Sequence, residues 1–208
     1  MAKASICMYN YHVRRQKFNA AGLINLLNHY APSDETEQFA KTQMLWFVQQ
    51  YPDFHRRNQL IGHTTASAWI VSEDLELILL NHHFGLNRWM QLGGHIEDDL
   101  DIHAAAMREA QEESGLTSLT FASKEIFDLD IHEIPLSLKA PVHNHYDIRF
   151  LLIADPSEPL KITLESKALE WCTPQTVRER TSERSILRML EKTELERRES
   201  NGDCSPHT

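Results

Sequence analysis

The sequence predicts an α/β domain preceded by a helical N-terminal extension. Three observations predict it. Two amphipathic helical segments occupy the first quarter of the chain. Apolar, strand-like runs then recur on both sides of one strongly marked helix near residues 102–114. A final amphipathic helix closes the chain.

Residues 1–18 mix aromatic and basic side chains and suggest no element. Phe18 to Tyr30 reads as a helix with Leu23, Leu26 and Leu27 on one face. Ala31-Pro32-Ser33-Asp34 breaks the chain and recaps it. Glu35 to Tyr51 is a second amphipathic helix bearing Phe39, Met44, Phe47 and Val48. Three roles are open to these helices: packing on the following domain, a homodimer contact, or a cover over substrate. Packing is the favoured one. Strands are predicted near 63–72, 75–82, 118–132, 146–154 and 168–172. In the fourth, Tyr146, Ile148, Phe150 and Leu152 alternate with their neighbours. A helix follows Pro174, and Ser182 to Arg198 forms the last one, with Ile186, Leu187, Met189 and Leu190 apolar. The expected division is 1–58 for the helical extension, 59–198 for the main domain and 199–208 for a polar, flexible tail.

The central helix holds the most specific chemistry. Asp98, Asp99 and Asp101 supply capping oxygens and negative charge at its start. Ala104-Ala105-Ala106-Met107 are strong helix formers, and Gly115 suits the left-handed position that ends a helix. Ile102, Ala106 and Ala110 recur at i, i+4 and i+8 and should face the core. Glu109, Glu112 and Glu113 stand at i, i+3 and i+4 and so share another face. Three carboxylates placed there repel one another unless a cation sits among them. Their oxygens suit a hard ion, Mg²⁺ or Mn²⁺. The alternative, a solvated acidic face, is weakened by the fixed spacing of arginine, glutamates and glycines. Arg108 lies four residues before Glu112 and can pair with it. Trp89-Met90-Gln91-Leu92 leads into Gly93-Gly94, where the backbone can approach a ligand and a main-chain carbonyl can join the metal. Glu97 adds a carboxylate on the connecting loop.

Histidine is abundant, with 12 residues. Asp130 and His132 share one side of a predicted strand, and His143, His145 and Asp147 share one side of the next. Imidazole with carboxylate suits Zn²⁺, Mn²⁺ or Fe²⁺ better than Mg²⁺. His132, His143 and His145 are therefore candidates for an additional transition-metal site or for a wall contacting phosphate. Ordinary hydrogen-bonded strand histidines are the equal alternative. His82, His83 and His95 are further candidates near the cleft. His95, directly after Gly94, either touches a phosphate or caps its loop. Arg149 can meet a substrate phosphate bidentately, or pair with Asp147.

Composition sets limits. The chain has 208 residues, 41% of them apolar, enough for one domain with a sizeable core plus an extension. Its net charge of −9 argues against nucleic acid or anionic membrane as a non-specific partner, while leaving small nucleotides open through bridging cations. Cys7, Cys172 and Cys204 are scattered and form no Cys-x-x-Cys pair. Neither a disulfide framework nor a secretory or membrane segment is suggested, so a reducing cytoplasm is expected.

Gly94, Arg108, Glu109, Glu112, Glu113, Gly115 and Leu116 match the signature Gly-x5-Glu-x7-Arg-Glu-U-x-Glu-Glu-x-Gly-U, where U is a bulky apolar residue. On these residues the chain resembles the Nudix hydrolase family, over roughly residues 60 to 180. Ala110 stands at the first U position. Leu100 replaces the first signature glutamate, with Asp99 and Asp101 beside it, which marks a divergent subgroup. Thr64 to Val71, Leu75 to His82 and Glu170 to Pro174 resemble strands of that family. The resemblance implies an α/β/α sandwich around a mixed sheet. It implies Mg²⁺-dependent (or Mn²⁺-dependent) cleavage of a pyrophosphate bond in a nucleoside diphosphate linked to another moiety. It places metal binding at Glu109, Glu112, Glu113 and the Gly93 carbonyl, and a structural ion pair at Arg108. Glu112 and Glu113 are the expected proton acceptors, so the catalytic set is Arg108, Glu112 and Glu113. The alternative is a nucleotide-sensing module that kept the fold and lost the chemistry.

Overall fold

A computed structural model describes residues 18–136, 141–200 and 202. In chain order the elements are α1 (Ala20–His29), α2 (Glu35–Gln50), β1 (Gly62–Val71), β2 (Ile78–His83), β3 (Arg88–Met90), β4 (Leu92–His95), α3 (Ile102–Ser114), β5 (Thr120–Phe121), β6 (Asp128–Ile134), β7 (His143–Ile153), β8 (Ser166–Cys172), α4 (Pro174–Arg180) and α5 (Arg184–Ser200). Among the described residues, no helix is long and apolar enough to cross a membrane.

β1 organises the sheet, and all ten of its residues are buried. It runs parallel to β7 in an unbroken register from Gly62↔Asn144 to Val71↔Ile153. Its other edge is shared: β4 pairs antiparallel with Thr65–Ala68, and β2 pairs antiparallel with Ile70–Val71. β3 and β8 extend the sheet from β2, while β5 and β6 extend it from β7. One parallel pairing among antiparallel ones makes the sheet mixed.

Alternation along β1 splits the core into two layers, as the pleat requires. Ala66, Ala68 and Ile70 pack with Leu23 and Leu27 of α1, with Met44 and Phe47 of α2, and with Ile102, Ala106 and Ala110 of α3. Trp69 and Val71 face the other way, against Val177 of α4 and Ile186, Met189 and Leu190 of α5. Helices thus cover both faces, giving the α/β/α sandwich. The N-terminal helices pack directly into the shared core; Phe47 stacks on Tyr146 of β7 at 4.1 Å between ring centroids.

A buried ionic network ties α2 and α5 to the sheet. Asp128, fully buried, pairs with Arg188 (2.8 Å), Arg149 (3.1 Å) and Lys192 (3.1 Å). Buried Glu37 of α2 accepts from Lys192, from Tyr30 Oη, and from the Ser33 amide and hydroxyl.

Two local features differ from the sequence expectation. The run 118–132 forms two strands, because residues 122–127 loop out opposite Phe150 and Leu151 while β5 and β6 keep their pairing to β7 on either side. The run 89–94, read as an apolar approach to a glycine pair, forms β3 and β4, which join different partners on either side of Gln91. Strands this short offer too few residues for a period to show. The expected tail keeps helix α5 through Ser200; residues 201 and 203–208 lie outside the described residues.

Candidate active site

α3 begins where Asp101 Oδ1 accepts from the Ala104 amide (2.8 Å), and it ends at Gly115, whose φ of 75° is the left-handed conformation glycine adopts freely. Between these stops, Ile102, Ala105, Ala106 and Ala110 face the sheet. The opposite side turns Arg108, Glu109, Glu112 and Glu113 into a cleft of about 1240 Å³. Gly93, Gly94, His95, Glu97 and Asp99 line the same cleft, so the glycine strand and the acidic helix face converge.

The contact between β4 and α3 is close. Gly93 N donates to Glu113 Oε2 at 3.0 Å. A Cβ at Gly94 would sit 2.7 Å from the Glu109 carboxylate. At Gly93, a Cβ would lie 2.3 Å from Ser67 Oγ and 2.5 Å from Ser67 Cα, and the φ of 149° is one that L-residues rarely adopt. Gly93→Ala is therefore expected to cost on the order of 1–3 kcal/mol from overpacking and backbone strain. A melting curve checks it, and an unchanged midpoint would contradict this packing.

Arg108 holds the acidic groups in place. It contacts Asp99, Glu109 and Glu112 at 2.9 Å each and donates to the His95 carbonyl at 2.7 Å. Burial alone would lower its pKa, but Asp99 and Glu109 override that and keep it above its ordinary value. Glu113 is 7% exposed. Burial pushes its pKa up to about 7; the Gly93 amide opposes this, and Glu109 and Glu165 reinforce it. Burial also raises Glu109, with Arg108 opposing. Glu112 is the exposed member of the trio. The set is a hard, all-oxygen donor group whose most buried carboxylate is disfavoured as an anion. These residues fit a divalent cation such as Mg²⁺ or Mn²⁺.

The remaining sequence candidates separate. His95, His132 and His145 line the cleft, as does His83, whereas His143, His82 and Arg149 do not. His82 stacks on Trp89 at 4.9 Å. Arg149, 2% exposed, is bonded to Asp147, Asp128 and Asp130, the mundane pairing extended to three carboxylates. Leu100 is 43% exposed and does not line the cleft. Its main-chain carbonyl accepts from the Asn19 amide at 2.7 Å, which ties this loop to the start of α1. Neighbouring Asp99 serves Arg108, and Asp101 caps α3.

Sequence reasoning missed Glu165, which lines the cleft from the loop before β8. It also missed His63, the partner of His145 across the β1–β7 register. No local pattern marks either residue; only the tertiary pairing brings them in.

No curated protein matches the chain. Several solved structures are similar to part of the chain. A Caenorhabditis elegans Ap4A hydrolase in a binary complex superposes with a TM-score of 0.52 and 17% identity, over 64% of this chain and 95% of that one. A NUDIX-family hydrolase from Clostridium perfringens gives 0.46 and 24%, over 64% and 97%. The Escherichia coli dihydroneopterin triphosphate pyrophosphohydrolase gives 0.45 and 18%, over 62% and 92%. A family profile described as the NUDIX domain matches residues 62–191, which includes the whole sheet core, the glycine strand and the acidic helix. The chain belongs to the NUDIX family and is an enzyme of the Nudix hydrolase type.

Proposed function

We propose that this protein is an Mg²⁺-dependent (or Mn²⁺-dependent) hydrolase that cleaves a pyrophosphate bond in a nucleoside diphosphate linked to another moiety. The observation that supports it most is Glu113, a buried carboxylate held by the Gly93 amide beside Glu109 and Glu112 in one cleft. Burying a carboxylate among like charges is costly, and a divalent cation offsets that cost.

In this reading, Glu109, Glu112, Glu113 and the Gly93 carbonyl hold the cation. When bound, it neutralises phosphate oxygens and makes an attacking water more acidic. Arg108 orients Glu109 and Glu112 by direct pairing and fixes the β4 backbone through the His95 carbonyl. Glu112 or Glu113 accepts the proton of the attacking water. The close approach at Gly94 leaves the glycine strand free of side chains against Glu109. The cleft volume exceeds that of a typical small-molecule pocket, and Phe84, Leu86, Met90 and Leu164 line it, which favours a bulky substrate with an apolar or aromatic part. His95, His132, His145 and Glu97 are candidates for phosphate-side contacts.

Leu100 in place of the first signature glutamate favours a second reading, a nucleotide-binding module with weak catalysis. One panel separates the two. The protein is incubated with Mg²⁺ and ADP-ribose, dinucleoside polyphosphates including Ap4A, nucleotide sugars and modified nucleoside triphosphates. Metal-dependent release of a monophosphate from any of them supports the hydrolase. Saturable binding without turnover supports the module.

A further inference from the structure

Beside the carboxylate trio lies a second cluster of different chemistry. His63 opens β1, His145 is its parallel partner on β7, and His95 ends β4 opposite Thr65 of β1. Three strands thus bring three imidazoles together. One ligating atom of each lies within 4.8 Å of the others. Ring centroids are 4.9 Å apart for His63–His95, 4.7 Å for His63–His145 and 5.2 Å for His95–His145.

His63 makes this more than proximity. It is 2% exposed, and neither of its ring nitrogens has a hydrogen-bond partner among the described residues. A neutral imidazole offers one donor and one acceptor, and leaving both unmatched in the interior is unfavourable. A metal on one nitrogen removes much of that cost.

We propose that His63, His95 and His145 form a transition-metal site that takes Zn²⁺ or a similar borderline cation, distinct from the carboxylate site on α3. Three imidazoles and one open position are a recurrent Zn²⁺ donor set, and nitrogen ligands select against Mg²⁺. His95 and His145 line the cleft and His63 does not, so the open position faces the cleft. The His95 carbonyl accepts from Arg108, which pairs with Glu109 and Glu112, so an ion here steadies the backbone that leads to the acidic site. His132 stacks edge-on to His145 at 5.5 Å and bonds to Asp130 (3.0 Å), and His143 packs on His63 at 5.0 Å; both belong to the surrounding shell.

Full-length protein made without a histidine tag is stripped with chelator and titrated with Co²⁺ and Zn²⁺. The expected result is one equivalent of Co²⁺ giving visible absorption of low-symmetry, nitrogen-rich coordination, displaced by Zn²⁺ and indifferent to millimolar Mg²⁺. His63→Ala and, separately, His95→Gln should weaken binding at least about 10-fold, while Glu112→Gln should not. His95 sits at the cleft, so that variant stays informative if His63→Ala fails to fold, which circular dichroism reports. The proposal is overturned if no saturable Co²⁺ signal appears, or if folded His95→Gln binds Co²⁺ as wild type does.

Discussion

Glu113→Gln is expected to reduce Mg²⁺-dependent turnover by at least about 10²-fold, the scale of losing a ligand or proton acceptor at the reacting centre. The side chain keeps its length and can still accept from the Gly93 amide. What it loses is charge. Folding should therefore survive, and its pH dependence should change in a defined direction. In wild-type protein the folded pKa is about 7 against an ordinary 4.5, so between those values the native state binds more protons than the unfolded one. Stability contributed by this group is present below pH 4.5 and is lost as pH rises through 7, by up to roughly 3 kcal/mol. Metal-free melts at pH 5 and pH 8 should show a smaller drop in Glu113→Gln than in wild type. Equal drops in both proteins would show that Glu113 is not held in this environment.

Asp128→Ala is the substitution with the largest expected effect on stability, a loss of about 3–5 kcal/mol, as for other buried pairs broken from one side. Asp128 is fully buried between Arg149, Arg188 and Lys192. Removing it leaves Arg188 and Lys192 with Glu37 as their remaining buried carboxylate (3.6 Å from Arg188) beside the Leu129 and Phe127 carbonyls, and leaves Arg149 with Asp130 and Asp147. The network joins α2, β6, β7 and α5, so the cost is global and should appear as one cooperative shift in denaturant midpoint. A shift below 1 kcal/mol in Asp128→Ala would mean that water or local rearrangement replaces the carboxylate cheaply.

The site was legible in sequence where its chemistry is local. The i, i+3, i+4 carboxylates, a cap among Asp98, Asp99 and Asp101, and the Gly115 stop follow from local sequence, and the structure places them on one short helix with Asp101 as the cap. The α/β class was legible partly for the same reason: β7 is long enough for apolar alternation to show, whereas β1, buried along its whole length, was read through its likeness to a family strand. What was not legible depends on long-range pairing. His63 looks like any strand residue until the β1–β7 register sets it against His145. Glu165 sits in a loop whose path no local pattern encodes. Arg149 beside Asp147 offered a phosphate clamp or an internal pair, and only the arrival of Asp128 and Asp130 from β6 shows its guanidinium surrounded by carboxylates.

In the proposed function, Glu109, Glu112 and Glu113 together grip a hard divalent cation. Isothermal titration of chelator-stripped protein with Mg²⁺ tests it most directly, in wild type and in a variant with all three residues changed to glutamine. Saturable Mg²⁺ binding is expected in wild type, with its loss in the folded triple variant. Equal Mg²⁺ affinity in both proteins would contradict it.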